Sequence, residues 1–257
     1  MTEHEHLRYL ETFEISSEEG KYNVSLYIFQ CSDAVNCTLL HDALHKEERT
    51  HLARLTFDKR IHDFLLGRFA AKNALASIMQ VSGYSEIGVR SGMFRQPVVT
   101  GVCLQALQTS ITHCDRIGAA LAFDEGMPAG IDIEKVNPER FTLIQDRCTE
   151  AEREWAHQAG IPAALAATLL WTSKEAIAKA IKTGFTASLD IFEVERIERQ
   201  DDYWITYYRY FTQFRAVSFP VGRYVCTIAT PKRAMIKPDI KRLKELFEWL
   251  PPMSFTR

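Results

Sequence analysis

The spacing of hydrophobic and polar residues in the first half of the chain predicts short strands around two helices. Runs of β-branched and aromatic residues predict strands at 24–29, 87–90, 98–102 and 119–123. Spaced leucines among charged residues predict an amphipathic helix over 39–54. Alanines interspersed with larger apolar residues predict a longer helix over 59–80, which Gly83 is placed to end.

A similar order follows the turn-rich segment 124–130. The pattern predicts a strand over 130–136, a helix over 149–157 opened by the capping-box spacing of Thr149 and Glu152, and a second helix between Pro162 and Gly184. Alternation then predicts strands within 189–197, 203–219 and 223–230, before a C-terminal helix over 239–250. We therefore expect an α+β protein of two similar-sized halves, 1–125 and 126–257, although no sequence repeat proves a duplication.

Composition narrows the class of protein without identifying it. The net charge of −2 gives no global basic field to attract nucleic acid or an anionic membrane. Six scattered cysteines form no CxxC pair and no zinc spacing, so a reduced, cytoplasmic protein is expected. The longest apolar stretch, 163–171, is about half of the ~20 residues that cross a bilayer, so no membrane association is expected.

Two carboxylates follow each other on one face of the predicted strand Gly130-Ile-Asp-Ile-Glu134. Asp132 and Glu134 are two residues apart, so they point the same way while Ile131 and Ile133 face the core. Carboxylates at this spacing suit Mg²⁺, which takes one or two protein carboxylates together with substrate phosphate. The alternative interpretation is a half-buried strand with a solvated acidic face.

The predicted helix at Trp171-Thr-Ser-Lys-Glu-Ala-Ile-Ala-Lys179 places three functional candidates on one face. Trp171, Glu175 and Lys179 are each one turn apart, with Lys174 beside them. A Glu–Lys pair at this spacing is also a common surface salt bridge, so an ordinary amphipathic helix is the alternative interpretation.

In this order and at this separation, the two segments resemble the signature of the 4′-phosphopantetheinyl transferases. The two-halved length resembles the surfactin-synthetase type rather than the short trimeric synthases. Weaker resemblances occur in the family's order at four further segments, namely Gly67-Arg68, Phe94-Arg-Gln-Pro97, Ser110-Ile-Thr-His113 and Thr183-Gly-Phe-Thr-Ala-Ser-Leu189. The resemblance implies two pseudo-twofold-related halves, each a small antiparallel sheet packed with a long helix.

The resemblance also implies an activity and the residues that perform it. Such enzymes move the phosphopantetheine arm of coenzyme A onto a serine of an apo acyl or peptidyl carrier protein, release 3′,5′-ADP and use Mg²⁺, with Mn²⁺ as a possible substitute. Asp132, Glu134 and Glu175 would hold the metal, and Glu175 would also activate the serine directly or through a water. Lys179 would pair with the pyrophosphate, and Lys174 would support it.

The coenzyme A end of the site follows less closely from the same resemblance. His113 matches the histidine on the 3′-phosphate, and the other expected contacts are Arg68, Arg60, Arg95, Gln96, Pro97 and Thr112. Lys59 is an alternative to Arg60, and Arg68 could instead tie its helix to the fold. Gln96 stands where the family has a phosphate-binding lysine, and an amide cannot supply that charge. Asp63 lies near where some members have an arginine.

Two other functions are compatible with these residues. A protein of this fold could bind coenzyme A or a similar nucleotide without transfer, which the altered Arg95-Gln96 loop favours and the retained Glu175 disfavours. An unrelated Mg²⁺-dependent phosphohydrolase would share the carboxylates alone. We expect a monomer, because one chain builds the cleft between two halves, and the segment 138–148 is the expected carrier-docking surface by family analogy.

Overall fold

The computed structural model describes residues 7–17, 20–101, 106–137, 148–184, 188–234 and 236–248. Within these ranges no helix is long and apolar enough to cross a membrane. The described residues of the first half form six strands and three helices, with a short 3₁₀ turn at Tyr84–Glu86, and their bounds are β1 Arg8–Ser17, β2 Gly20–Gln30, α1 Thr38–Asp42, α2 Lys46–Leu52, α3 Asp58–Met79, β3 Ile87–Ser91, β4 Pro97–Gly101, β5 Leu107–Cys114 and β6 Ile117–Asp124.

The second half begins with β7, six residues after β6 ends. Its elements are β7 Gly130–Lys135, α4 Glu150–Gln158, α5 Ala163–Ala180, a 3₁₀ turn Leu189–Phe192, β8 Val194–Arg199, β9 Trp204–Tyr208, β10 Phe214–Val221, β11 Tyr224–Pro231 and α6 Ile240–Glu248. The capping box that the sequence predicts at Thr149 and Glu152 is present at the start of α4.

Two antiparallel sheets organise the molecule. The first has the order β1-β2-β6-β5, the second has the order β7-β11-β10-β9-β8, and β3 and β4 form a separate hairpin. The long helix α3 packs on the first sheet and α5 packs on the second. This arrangement confirms the predicted α+β fold class.

The order of elements is the same in the two halves. With the short helix α1 left aside, the series β2-α2-α3-β3-β4-β5-β6 is followed by the series β7-α4-α5-β8-β9-β10-β11, and β2-β6-β5 pair in the same sequence as β7-β11-β10. The structure thus contains an internal repeat that the amino-acid sequence does not reveal.

Alternating strand residues divide the buried side chains into three clusters. One cluster lies under α3, and a second lies under α5. The third joins the opposite faces of both sheets with α6, through residues such as Leu26, Leu121, Ile131, Phe219 and Leu243. The halves therefore share one core, which fixes the relation of the two sheets.

The two sheets meet where β5 lies beside β7. The hydroxyl of Ser110 accepts a hydrogen bond from the Ile131 N–H (3.1 Å), and the hydroxyl of Thr112 accepts one from the Ile133 N–H (3.3 Å). Side chains of one strand thus satisfy backbone donors of the other, because buried N–H groups need partners. This junction places the two halves of the predicted site side by side.

Several predicted elements differ from the structure. The strands β1 and β5 were not predicted, so His113 lies within β5, ahead of the predicted strand that forms β6 from Ile117. The helix predicted over 39–54 is two helices, because His45 is extended and caps α2. Gly83 does not end α3, since the left-handed position that closes it is Gln80 (φ 54°). The predicted docking segment 138–148 lies outside the described residues except for Cys148.

Candidate active site

Strand β7 and helix α5 approach each other unusually closely, and Gly130 makes this possible. A Cβ added at Gly130 would lie 2.0 Å from the Ala176 carbonyl oxygen and 2.6 Å from the Ala180 nitrogen. Contacts this short are incompatible with any side chain, so only glycine fits here. The carboxylates of β7 are thereby brought against Glu175 and Lys179 of α5.

Asp132 is the centre of this contact and is 4% exposed. Its Oδ1 accepts hydrogen bonds from Lys179 Nζ (2.7 Å) and from the Thr112 hydroxyl (2.9 Å). Lys179 also donates to the Ile131 carbonyl oxygen (3.1 Å). The buried Oδ2 atom of Asp132 has no hydrogen-bond partner among the described residues, so one oxygen of a buried carboxylate is left with unused acceptor capacity.

Glu175 is also buried, with 7% of its surface exposed. Its Oε1 atom likewise lacks a hydrogen-bond partner within the described ranges. Burial first and the nearby charge of Asp132 second raise the pKa of Glu175 to about 7, against the opposite effect of Lys179. A carboxyl group with this pKa can exchange a proton near neutral pH.

Glu134 completes the set of three carboxylates at the half-buried end of β7. The thiol of Cys114 lies 3.7 Å from its Oε2 atom, and the pKa of Cys114 is raised to about 12 by burial and by the charge of Glu134. In the part of the chain that the structure describes, no three His, Cys, Asp or Glu residues are clustered closely enough to hold a metal ion. The ammonium of Lys179 occupies the place of a cation beside Asp132. The carboxylate oxygens without a hydrogen-bond partner, Asp132 Oδ2 and Glu175 Oε1, are the kind of ligand that a hard cation prefers.

A cavity of about 440 Å³ opens beside Glu175 and Lys179. Its other walls come from the turn between β3 and β4 (Met93–Pro97), from β5 (Thr109–Ile111), and from Phe123, Lys182 and Gly184. The Lys182 ammonium, which donates to Gln108 (2.9 Å), adds a second cation beside Lys179. The cavity joins both halves of the chain and has the two cations and Glu175 in its walls.

The turn between β3 and β4 brings three of the predicted coenzyme A residues to this cavity. Arg95, Gln96 and Pro97 all line it. Arg95 has a positive φ of 63°, so the chain turns sharply there, and Arg95 and Gln96 need not point to opposite sides as neighbours in an extended chain do. The Gln96 side chain accepts a hydrogen bond from the Phe94 N–H (2.9 Å), which uses its amide oxygen to close the turn.

Strand β5 carries Thr112 and His113, which lie next to the carboxylates of β7. His113 Nδ1 is 3.6 Å from Asp63 Oδ1. Burial lowers the pKa of His113, while Asp63 raises it and Lys179 lowers it. Thr112, predicted as a coenzyme A contact, orients Asp132 in this structure.

Arg68 and Arg60 lie on α3 and do not line the cavity beside Glu175. Arg68 is packed over the Phe64 ring (4.8 Å), with its Nε atom 3.6 Å from Glu48. Burial lowers the pKa of Arg68. Arg60 is exposed and lies over the Phe57 ring at 5.7 Å. The contacts of Arg68 match the alternative that it ties its helix to the fold.

Lys174 does not point to the cavity. Its ammonium is buried and lies 2.8 Å from both carboxylate oxygens of Glu152. Sequence reasoning also did not single out Ser110, Lys182 or the close approach at Gly130. For Glu152, the partner of Lys174, the capping-box spacing with Thr149 was a local signal. The contacts of Ser110, Lys182 and Gly130 join segments that are far apart in the chain, so no local pattern indicates them.

Comparison with known families matches residues 128–229 to the model of the 4′-phosphopantetheinyl transferase superfamily. The matched segment contains Asp132, Glu134, Glu175 and Lys179, so the match supports this superfamily and, in general terms, transfer of phosphopantetheine to carrier proteins. It does not include α3, β5 or the β3–β4 turn. A search of curated proteins found no match.

Proposed function

We propose that this chain, with its 4′-phosphopantetheinyl transferase superfamily segment at 128–229, transfers the phosphopantetheine arm of coenzyme A to a serine of an apo acyl or peptidyl carrier protein. The holo-carrier-protein synthase activity of the two-halved surfactin-synthetase type is the finer form of this proposal. The observation that carries it is a buried carboxyl group, Glu175, with a pKa of about 7 and an unused oxygen beside a cavity that holds two lysines.

The reaction is a phosphoryl-type displacement, and each residue has a defined task in it. Glu175 accepts the proton of the carrier serine hydroxyl, whose oxygen forms a new bond to the phosphorus that carries pantetheine. The bond from that phosphorus to the bridging oxygen of the pyrophosphate breaks, and 3′,5′-ADP leaves with the electron pair. Lys179 is placed to stabilise the negative charge on the pyrophosphate, and Thr112 holds Asp132 in position.

The carboxylates also have the oxygen chemistry of a divalent-cation site, although the described side chains would have to move closer together to enclose an ion. Asp132, Glu134 and Glu175 would hold Mg²⁺, which would supply positive charge to the pyrophosphate oxygens. The unused oxygens on Asp132 and Glu175 support this assignment, because a buried acceptor without a donor is costly unless something binds it. Mn²⁺ shares this preference for carboxylate oxygen and would be a substitute.

The coenzyme A end of the cavity is proposed to involve Arg95 and Pro97, with Lys182 as an additional cation. His113 does not line the cavity and is proposed to contact the 3′-phosphate outside it. Gln96 would contribute its amide group rather than charge, because its oxygen already closes the β3–β4 turn. The partner is proposed to be a carrier protein that presents a serine at the mouth of the cavity. A monomer suffices, since both walls come from one chain.

One experiment tests the activity directly. The chain is incubated with an apo carrier protein, coenzyme A and Mg²⁺, and the mass of the carrier is measured. A gain of one phosphopantetheine arm, lost when Glu175→Gln replaces the wild type, is the expected result. No gain across acyl and peptidyl carriers would exclude transfer.

A coenzyme A-binding protein without transfer is the second candidate. It is favoured by one observation, namely that the described residues present no closely clustered set of three metal-ligating side chains. Under this alternative, calorimetry would detect coenzyme A binding while the carrier mass stayed unchanged, so the same experiment separates the two functions.

A further inference from the structure

Glu152 is the centre of a buried connection between three elements of the second half. It is 0% exposed, and its oxygens accept hydrogen bonds from the Thr149 N–H, the Val194 N–H and the Lys174 ammonium, each at 2.8 Å. These donors belong to the start of α4, the start of β8 and the middle of α5. One carboxylate therefore ties the helix that carries Glu175 to its two neighbours.

The first half contains the same connection. Glu48 is buried and accepts hydrogen bonds from the His45 N–H (2.8 Å) and the Val89 N–H (3.0 Å), and its Oε2 atom lies 2.6 Å from Lys72 Nζ. Each glutamate is the third residue of its short helix, and each lysine lies in the following long helix. A pair that recurs at equivalent places in both halves belongs to the repeated architecture rather than to ligand binding.

The two copies differ in the residue that follows the lysine. Lys72 precedes Asn73, whereas Lys174 precedes Glu175. Successive residues on a helix are about 100° apart around its axis, so anchoring Lys174 on Glu152 sets the rotation of α5. That rotation determines where the side chains of Glu175 and Lys179 point. If either lysine moved away from its glutamate, a buried carboxylate would be left without its counter-charge, so the pairing is strong.

We propose that Glu152 and Lys174 are a positioning pair that sets the orientation of Glu175, and that Lys174 does not bind coenzyme A. This inference rests on the proposed transferase function, since orientation of Glu175 matters only if it acts on a serine. It differs from the expectation that the sequence raises for Lys174, and it assigns a role to Glu152 that the sequence does not suggest.

Three variants test the pair. Lys174→Met removes the cation and keeps an apolar side chain of similar length. Glu152→Gln/Lys174→Met removes both charges, retains an acceptor for one of the two backbone N–H groups, and is expected to fold even where the single variant does not. Lys72→Met is the matched control, because it breaks the equivalent pair in the first half at a distance from Glu175. Transfer rate, coenzyme A affinity by calorimetry and unfolding in denaturant are measured for each.

Lys174→Met is expected to lower kcat at least tenfold while the Kd for coenzyme A changes less than threefold. Lys72→Met is expected to raise the unfolding equilibrium constant about as much as Lys174→Met does, but to keep kcat at saturating coenzyme A within threefold. The double variant is expected to recover stability without recovering kcat, since methionine and glutamine cannot fix the rotation of α5.

Three results would overturn the positioning role. One is a tenfold loss of coenzyme A affinity in Lys174→Met at unchanged kcat, which would make Lys174 a ligand. Another is a kcat that returns with stability in the double variant, and the third is an equal loss of kcat in Lys72→Met. If the wild type transfers nothing, the proposed function fails. The pair is then judged by unfolding alone: Glu152→Gln completes the double-mutant cycle, and less than tenfold coupling between Glu152 and Lys174 would exclude the pair.

Discussion

At the scale of single residues, Glu175 links stability to pH in the metal-free protein. Its pKa is about 7 when folded and close to 4.5 when unfolded. The folded chain therefore retains this proton over a range in which the unfolded chain has released it, so the contribution of Glu175 to stability is complete below pH 4.5 and is lost as the pH rises through 7. In EDTA, Glu175→Gln should stabilise the protein at pH 8 by up to about 3 kcal/mol and much less at pH 4.5.

Denaturant unfolding of both proteins across this pH range measures the difference. Glu195→Gln is a suitable control, because Glu195 is an exposed residue of β8. It should change stability little, because an exposed side chain loses few contacts when it is replaced. A Glu175→Gln curve parallel to that of the wild type would contradict the raised pKa.

Thr112 supports a second prediction at the same scale. Its hydroxyl accepts from the Ile133 N–H and donates to Asp132. Thr112→Val would leave the buried N–H without its acceptor, so unfolding should become easier by about 1–3 kcal/mol. Thr112→Ser retains the hydroxyl and should lose less than half as much. Chemical denaturation of the three proteins decides, and a larger loss in Thr112→Ser than in Thr112→Val would show that the methyl group matters rather than the hydrogen bond.

At the scale of elements, the approach of α5 to β7 depends on Gly130. Gly130→Ala would force a methyl group into the Ala176 carbonyl and the Ala180 nitrogen. The helix must then move away, so we expect a loss of at least about 2 kcal/mol in unfolding free energy together with loss of transfer. Gly83→Ala is the control, since its nearest neighbour would be a Glu86 side-chain atom at 3.7 Å. Thermal unfolding and the carrier mass assay should show no comparable loss in Gly83→Ala.

The elements also show which features could be predicted from sequence. Helix α3, strand β7 and the capping box at Thr149 follow from contacts within a few residues, and their local patterns were sufficient. The break at His45 was missed because Glu48, which closes the cap, is anchored by Val89 and Lys72 from distant segments. The contact between Lys174 and Glu152 depends on how α4 and α5 pack. The positions of residues around a single helix do not reveal how two helices pack, so this contact could not be predicted from the sequence pattern.

At the scale of the whole molecule, the repeated element order raises the question of how many sites the chain has. In the second half, the Lys179 ammonium contacts Asp132, and Glu175 follows the anchored Lys174. In the first half, Ser77 lies five residues after the anchored Lys72, as Lys179 does after Lys174. The Ser77 hydroxyl contacts Ser25 of β2 (2.6 Å), and Asn73 stands in place of Glu175. The first half thus has an equivalent contact between its long helix and its strand, but the residues at that contact are neither carboxylates nor a cation.

This difference predicts one metal and one coenzyme A per chain, despite the duplication. Hard divalent cations require oxygen ligands with negative charge, and two serines with an asparagine cannot supply it. Calorimetric titration with Mg²⁺ in the presence of coenzyme A should therefore give a stoichiometry of one, and Asp132→Asn should abolish the metal signal. Ser25→Ala should leave it unchanged, because Ser25 belongs to the copy without charged groups. A stoichiometry of two, or loss of the signal in Ser25→Ala, would mean that the first half also binds a cation.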